Sequence, residues 1–160
     1  MADDTNLGKK GETKLKDWLT HPEEGFFCYR LKDQMSGFFA SANMCDFLVY
    51  KYPHFYPIEC KSTWADRFDF SMLSETQHDE LLAAGKVDGI VSYVLVLFAS
   101  YKRAFLINIQ DIEALEKQRI KSLNIKKVAK WKIPYIEIRT IPSRKELFDY
   151  DFEHAKEIFS

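Results

Sequence analysis

The stretch from Met44 to Thr63, MCDFLVYKYPHFYPIECKST, decides how the rest of the chain is organised. Two apolar runs, Cys45–Tyr50 and Phe55–Cys60, lie on either side of a turn that contains Pro53. Aromatic and β-branched residues fill both runs and the proline interrupts them, which is typical of a β-hairpin. We therefore expect two adjacent antiparallel strands in this stretch.

The first arm of this hairpin carries an acidic residue among apolar ones. Successive side chains of a strand point to opposite faces, so Asp46 is expected to share a face with Leu48. Cys45 and Phe47 are expected on the opposite face. A charged residue inside an apolar strand needs a reason, because burying an unpaired charge is costly.

The second arm carries a second carboxylate and a lysine. Glu59, Lys61 and Thr63 are expected to share one face of the strand, while Cys60 points to the other. Since the two strands are neighbours, the face with Asp46 and the face with Glu59 can converge. The sequence therefore predicts two carboxylates and a lysine in one place.

This combination of side chains suits the hydrolysis of phosphodiesters. Asp46 and Glu59 offer hard oxygen ligands, and Mg²⁺ typically takes one or two protein carboxylates while it keeps several waters. Such an ion polarises a phosphoryl oxygen and lowers the pKa of a bound water. The ammonium of Lys61 would lie beside that water, to orient it or to stabilise the developing negative charge.

The spacing Asp-x(12)-Glu-x-Lys resembles the signature of the PD-(D/E)xK nucleases, with Cys45 in the place of the proline. The alternative is a hairpin joined by a cross-strand salt bridge, without any chemistry. A bare spacing of this kind often arises by chance, so the motif alone leaves both interpretations open.

Composition indicates one globular domain. The chain has 160 residues, of which 46 % are hydrophobic and 15 % aromatic, enough to close a substantial core. No apolar run is long enough to span a bilayer and the polar N-terminus is not a signal peptide, so we expect a cytoplasmic protein without membrane contact. The three cysteines lack metal-site spacing and are expected to be buried free thiols.

The charge is unevenly distributed, although the net charge is only −1. The segment Lys117–Lys132, KQRIKSLNIKKVAKWK, holds six lysines and one arginine without any acidic residue. Clustered cations are the footprint of phosphate contact, but such a block is usually a solvated face. Taken alone, the segment favours nucleic-acid binding only weakly.

Hydrophobic periodicity predicts an α/β protein with a mixed sheet flanked by helices on both faces. A helix between the third and fourth strands suggests a βαβ unit. The predicted helices are Gly8–Leu19, the segment after an N-cap at Ser74 up to Ala84, Asp111–Ile120 and Phe148–Phe159. The predicted strands are Phe26–Leu31, Cys45–Tyr50, Phe55–Cys60, Ile90–Ala99, Arg103–Ile109 and Tyr135–Ile141.

Four motifs occur in order along the chain. They are Asn6-x-Gly8-x-x-x-Glu12, SANMCDFLVY at Ser41–Tyr50, FYPIECKST at Phe55–Thr63, and Phe70 followed by Gln77. Together they resemble the RecU family, the Holliday-junction resolvases of Gram-positive bacteria and some of their phages. The resemblance covers roughly residues 6–110.

The resemblance implies a restriction-endonuclease-like core at about residues 8–110, inside a single nuclease domain that spans residues 1–160. Residues 111–160 would then be C-terminal additions that include the basic segment. It further implies an endonuclease that depends on Mg²⁺, with Mn²⁺ able to substitute. Branched DNA would be its substrate, and a homodimer would supply the two cuts that resolution of a four-way junction needs.

One feature departs from the family pattern. The family carries a long stalk between its first two strands, and here only Lys32–Asn43 fill that position. Junction selectivity is therefore open, and another structure-selective or general PD-(D/E)xK nuclease is an alternative. A non-catalytic DNA-binding module on the same fold is a second alternative, although the intact Asp, Glu and Lys set speaks against lost activity.

The candidate site residues follow from the residue chemistry and the resemblance together. Glu12 could instead form an ion pair with Lys16 one helical turn away, and Gln77 could be an ordinary polar residue early in a helix. The catalytic candidates are Asp46, Glu59, Lys61 and Gln77, and the metal-ligand candidates are Glu12, Asp46 and Glu59. The DNA-contact candidates are Lys9, Lys10, Lys14, Thr63, Arg67, Lys121, Lys126, Lys127 and Lys130.

The homodimer would need an apolar contact surface. Phe26, Phe27, Phe38 and Phe39, near the first strand and the loop after it, could be buried between subunits. The alternative is that these side chains fill the core of the monomer.

Overall fold

The computed structural model describes residues 26–32, 43–142, 149–150 and 159. The predicted helix Gly8–Leu19 lies outside these ranges, as do most of the loop Lys32–Asn43 and most of the predicted helix Phe148–Phe159.

Ten strands and two α-helices form within the described ranges. The strands are β1 (Phe26–Arg30), β2 (Phe47–Lys51), β3 (His54–Thr63), β4 (Arg67–Asp69), β5 (Tyr93–Phe98), β6 (Arg103–Asn108), β7 (Ser122–Asn124), β8 (Ile136–Ile138), β9 (Thr140–Ile141) and β10 (Asp149–Tyr150). The helices are α1 (Glu75–Gly85) and α2 (Ile109–Lys117), and short 3₁₀ helices form at Phe70–Met72, Ala99–Tyr101 and Ile125–Lys130.

Six of the strands form one mixed sheet in the order β1-β2-β3-β5-β6-β8. In this sheet β3 and β5 run parallel, and the other neighbours run antiparallel. Parallel neighbours need a crossover connection, and here the chain passes through α1 between them. The predicted α/β class, the mixed sheet and the βαβ unit are confirmed.

The predicted hairpin is confirmed as the pair β2 and β3. Lys51 pairs with His54 across the turn, and the register continues to Phe47 opposite Ile58. This register positions the candidate site, because it brings Asp46, which precedes β2, next to Glu59, which follows Ile58.

Each face of the sheet is covered by its own hydrophobic cluster. Val94 and Val96 of β5 belong to the cluster that includes buried residues of α1 and α2. Leu95 and Leu97 belong to the cluster on the opposite face, which also contains Phe159. The almost wholly apolar strand β5 is therefore covered on both sides, as such a run predicts. Both described helices contribute to the first cluster.

The prediction that Cys45 and Phe47 lie on the same face of the sheet is wrong. Cys45 is buried in the cluster on the helix-bearing face, whereas Phe47 is buried in the cluster on the opposite face. Strand alternation does not extend back to Cys45, because β2 begins at Phe47. The Cys45 thiol instead donates a hydrogen bond to the backbone oxygen of Phe47 at 3.4 Å.

The predicted helix Phe148–Phe159 is wrong at its beginning. Asp149 and Tyr150 form β10, which pairs antiparallel with β9. A two-residue strand has no periodicity of its own, so its pairing partner decides its conformation. Within the described residues, no helix has the length and apolar character that a membrane crossing requires.

Candidate active site

The hairpin register places Asp46 beside strand β3, which carries Glu59 and Lys61. The backbone N–H of Asp46 donates to the Ile58 oxygen at 3.0 Å, and the Cys60 N–H donates to Asp46 Oδ2 at 2.8 Å. Hydrogen bonds from its backbone and to its side chain therefore fix Asp46 against β3, next to Glu59.

Glu59 is a charged residue in the core of the sheet, with 3 % of its surface exposed. Its Oε1 receives two polar contacts, from Gln77 Nε2 at 2.7 Å and from Lys61 Nζ at 3.0 Å. Its Oε2 is buried and has no hydrogen-bond partner among the described residues. Gln77 and Lys61 thus hold one oxygen, and the Glu59 side chain is also within hydrogen-bonding reach of the Asp46 carboxyl, so a proton or a bound cation can lie between the two groups.

Burial makes it unfavourable for both carboxyl groups of this pair to be ionised at the same time. Burial and then the charge of Asp46 raise the pKa of Glu59 to about 8, although Lys61 acts in the opposite direction. Burial also raises the pKa of Asp46, against the hydrogen bond from the Cys60 N–H. Two buried carboxylates near each other disfavour a full double negative charge, so a bound cation would relieve the site.

The residues present fit a divalent cation. Two carboxylates with an unpartnered buried oxygen supply hard ligands of the kind that Mg²⁺ and Mn²⁺ prefer. Among the described residues, no group of three or more His, Cys, Asp or Glu side chains could hold a metal. The remaining positions would therefore be filled by water, by phosphate oxygens or by Glu12, which lies outside the described ranges.

Gln77 joins this group from the first turn of α1. The crossover after β3 brings the beginning of α1 over the strand, and Gln77 donates to Glu59 at 2.7 Å. We call the set Asp46, Glu59, Lys61 and Gln77 the carboxylate pocket. The four catalytic candidates named from the sequence are all brought together in it.

Sequence reasoning missed two features of α1. Ser74 and Gln77 form a reciprocal capping box, which the pattern Ser-x-x-Gln could have signalled. The His78 ring forms hydrogen bonds with Glu116 of α2 at 2.8 Å and with Asp79 at 3.1 Å. No local pattern could have paired His78 with Glu116, since 38 residues separate them.

Thr63 ends the strand that carries the pocket. It lies two residues beyond Lys61, and its Oγ1 accepts a hydrogen bond from the Ala65 N–H at 3.0 Å. This bond shapes the turn that leaves the strand. The hydroxyl proton of Thr63 still has to find an acceptor, so a role in donating to phosphate is compatible with the turn.

The basic segment is joined to the chain that leaves β3. β4 and β7 form an antiparallel pair in which Arg67 lies opposite Asn124, and the Phe70 N–H donates to the Lys121 oxygen at 2.9 Å. We call Arg67–Asp69 together with 121–130 the basic ribbon. The structure therefore brings together five DNA-contact candidates, which are Arg67, Lys121, Lys126, Lys127 and Lys130.

These cations differ in their surroundings. Lys126 Nζ lies 2.8 Å from Asp66 Oδ2, and the Tyr101 hydroxyl donates to the other oxygen of Asp66 at 2.5 Å. Arg67 Nε lies 3.1 Å from Asp69. The side chains of Lys121, Lys127 and Lys130 are exposed. The other DNA-contact candidates, Lys9, Lys10 and Lys14, lie outside the described ranges.

A family model matches the chain, and solved structures are similar to it. No curated protein sequence matches it. Among solved structures, the chain is similar to Hjc, a Holliday junction resolvase from the archaeal hyperthermophile Archaeoglobus fulgidus, with a TM-score of 0.48 and 17 % sequence identity. That match covers 76 % of this chain and 88 % of Hjc. The family model of RecU, recombination protein U, matches residues 28–143, well over half of the chain. The chain therefore belongs to the RecU family of Holliday-junction resolvases.

Proposed function

We propose that this protein is a cytoplasmic Holliday-junction resolvase that hydrolyses DNA phosphodiesters with a divalent metal in the carboxylate pocket. The observation that carries the chemistry is the buried Glu59 carboxylate beside Asp46, with one oxygen held and the other unpartnered. A buried pair of this kind is costly unless it is compensated, and a metal ion is the compensation that fits its oxygens.

Asp46 and Glu59 would hold the metal, with Glu12 as a third ligand directly or through water. When bound, Mg²⁺ would act as a Lewis acid towards the phosphate and would lower the pKa of a bound water. Mn²⁺ has the same preference for oxygen ligands and would substitute for it. The backbone N–H of Cys60 supports this role, because it fixes the Asp46 carboxylate in place.

Lys61 would stabilise negative charge that develops on the phosphate. Its ammonium lies 3.0 Å from Glu59 Oε1, and its side chain is 20 % exposed, so part of the side chain remains accessible. A fixed cation in a site that excludes water stabilises a developing charge far more than a solvated one does. Gln77 adds N–H donors on the same side of Glu59.

The basic ribbon would bind the DNA backbone next to the carboxylate pocket. Arg67 follows β3 by four residues, so the ribbon continues from the end of the strand that carries Glu59 and Lys61. Lysines and arginines that contact phosphates release counterions, which supports binding to DNA of any sequence. We propose the same sequence-independent role for Thr63 and for Lys9, Lys10 and Lys14.

A homodimer would supply the second active site. Resolution of a four-way junction cuts two strands, and a two-fold dimer presents two identical sites in matching geometry. Phe27 of β1 is 57 % exposed and would contribute to an apolar contact between subunits. Phe38 and Phe39, like the side chain of Phe26, lie outside the described part of the chain.

The decisive experiment compares DNA structures. Purified protein and Mg²⁺ are incubated with a labelled immobile four-way junction, a linear duplex and a single strand, and the cut sites are mapped on all arms. Paired, symmetric cuts near the branch by a species that sediments as a dimer are expected. Equal cleavage of the linear duplex would leave a general nuclease, and salt-sensitive binding without cleavage at any Mg²⁺ or Mn²⁺ concentration would leave a non-catalytic module.

A further inference from the structure

The side-chain amide of Gln77 is held at both ends. Its Oε1 accepts a hydrogen bond from the Ser74 backbone N–H at 3.2 Å, and its Nε2 donates to Glu59 Oε1 at 2.7 Å. The Ser74 hydroxyl oxygen in turn accepts from the Gln77 backbone N–H at 3.1 Å. The cap of the helix and a contact to the carboxylate pocket are therefore made by one side chain.

The two contacts are compatible with one orientation of the amide. If the amide turned over, its NH₂ group would face the Ser74 N–H, so that two donors would oppose each other. Its oxygen would face the Glu59 carboxylate, so that two acceptors would oppose each other. Glu59 can gain or lose a proton or bind a cation, whereas the backbone N–H of Ser74 is always a donor. The Ser74 N–H is thus the constant part of this arrangement.

We infer that Ser74 is a positioning residue, whose backbone N–H holds the Gln77 amide with its donors towards the carboxylate pocket. This inference rests on the proposed nuclease function and deepens it. Gln77 then presents N–H groups to Glu59 and to an oxygen of the bound phosphate. Its carbonyl oxygen is turned towards the Ser74 N–H, on the opposite side of the amide from the contact to Glu59, so we assign Gln77 the role of a donor and not that of an acceptor for the attacking water.

The arrangement also decides which oxygen of Glu59 is offered to a ligand. Gln77 and Lys61 both contact the same carboxylate oxygen, so tilting the carboxylate plane away from them would break two polar contacts. The unpartnered Oε2 is consequently kept available. A turned-over Gln77 amide would repel Oε1 and release this constraint.

The backbone at Ser74 permits a sharp test. Ser74 has φ −67° and ψ 157°, and Leu73 before it has φ −79° and ψ 131°. Proline needs a φ near −65° and an extended residue before it, so Ser74→Pro fits the backbone. Ser74→Pro removes both the N–H and the hydroxyl, while Ser74→Ala removes the hydroxyl alone. The difference between the two variants reports the loss of the N–H together with the ring carbon that takes the place of its hydrogen next to Gln77 Oε1.

Cleavage of the four-way junction is measured at saturating Mg²⁺ for both variants. Both are expected to have a lower Tm than wild type, because both lose the side-chain cap. We expect kcat to fall by less than about threefold in Ser74→Ala and by about tenfold to a hundredfold in Ser74→Pro, with little change in KM. Equal kcat values in the two variants would overturn the inference.

A third variant keeps the inference testable if Ser74→Pro does not fold. Gln77→Glu retains an acceptor for the Ser74 N–H, since Ser-x-x-Glu is also a capping box, but it has no donor. We expect it to have a lower Tm than wild type, because the new carboxylate would lie against Glu59, and a kcat at least about tenfold lower. A wild-type kcat in Gln77→Glu would show that the donors of Gln77 are not used, and the inference would be wrong.

A readout without DNA or metal separates this inference from the proposed function. In the metal-free protein, NMR is expected to find a Gln77 side-chain amide proton that exchanges slowly with solvent and is shifted from the value of an exposed glutamine by its hydrogen bond to Glu59, and Ser74→Pro is expected to lose both features. Rapid exchange with solvent and the shifts of an exposed glutamine in wild type would reject the fixed orientation. Wild-type protein that orders this amide but cleaves no DNA would instead reject the nuclease proposal.

Discussion

Lys61 in the carboxylate pocket and Lys126 in the basic ribbon each form an ion pair, but the two pairs differ in their exposure to water. Lys61 lies 3.0 Å from a carboxylate that is 4 % exposed, and Lys126 lies 2.8 Å from one that is 42 % exposed. The distances are alike, so geometry alone does not distinguish the two ion pairs. Access of water does, because water screens the second pair and leaves the first in a low-dielectric environment.

This difference distinguishes residues that would take part in cleavage from residues that would only attract DNA. In the pocket each charge is fixed by the sheet, and the loss of one charge strongly changes the electrostatic environment of the others, because little water lies between them. In the ribbon each charge is solvated, and its loss changes a long-range attraction by a small amount. We therefore expect the effects of substitutions to be large and specific in the pocket and small and additive in the ribbon.

The largest effect is expected from Asp46→Asn, which keeps the shape of the side chain and removes its charge. Cleavage of the four-way junction should fall on the order of a thousandfold, because a ligand and the fixed field of the site are lost. Binding to the junction, measured without divalent metal, should persist or become tighter as negative charge is removed.

Thr63→Val provides a control for the same face of β3, with the shape retained and the hydroxyl removed. It should affect cleavage far less than Asp46→Asn. If Asp46→Asn cuts at the wild-type rate, the carboxylate pocket is not the active site.

The next effect concerns the stability of the metal-free protein. The pKa of Glu59 is raised from 4.5 to about 8 by burial and by Asp46, so the folded state binds a proton more tightly than the unfolded chain does. The free energy of unfolding should therefore fall as the pH rises from about 4.5 to about 8. Thermal unfolding in the presence of a chelator measures this trend.

Glu59→Gln removes the titrating group and should flatten the dependence. Above about pH 8 the variant should unfold at a higher temperature than the metal-free wild type, while it cuts no DNA. The same pH profile in both proteins would mean that Glu59 ionises normally and that the pocket carries no electrostatic strain.

The sequence predicted the pocket better than the ribbon for a physical reason. Alternation along β3 and the tight turn fix the register locally, so Asp46 and Glu59 meet without information from the rest of the chain. The burial of Glu59 and its contact to Gln77 depend on where α1 crosses the sheet, which local patterns do not determine.

The ribbon could not be predicted from local patterns. β4 and β7 are three residues each, too short for a periodic signal, and they come from distant parts of the chain. The packing of Phe68 and Leu123 in the core pairs them. The ion pair of Lys126 with Asp66 is a consequence of that pairing, so a block that looks uniform in sequence contains cations in different surroundings.

A smaller effect is expected from the exposed cations of the ribbon. Replacement of Lys121, Lys127 and Lys130 by Gln should weaken binding to every DNA sequence alike. For duplex arms, the slope of log affinity against log salt should become shallower by about 0.9 for each phosphate that the protein no longer neutralises. The rate of cleavage at saturating DNA should stay near that of wild type. A double variant at Lys86 and Lys102, which are exposed outside the ribbon, is the control.

The smallest effect is expected from the Asp66–Lys126 pair, and its sign is diagnostic. Asp66 competes with a phosphate for the charge of Lys126, so Asp66→Asn should free the lysine and also remove a negative charge near DNA. Affinity for the junction should rise slightly in Asp66→Asn and return to near the wild-type value when Lys126→Gln is added.

Lys126→Gln alone should flatten the salt dependence less than Lys127→Gln does, because Asp66 already neutralises the charge that is removed. If the effects of Asp66→Asn and Lys126→Gln on affinity simply add, the ion pair does not compete with DNA. Lys126 would then behave like its exposed neighbours, and the ribbon would be electrostatically uniform despite its internal contacts.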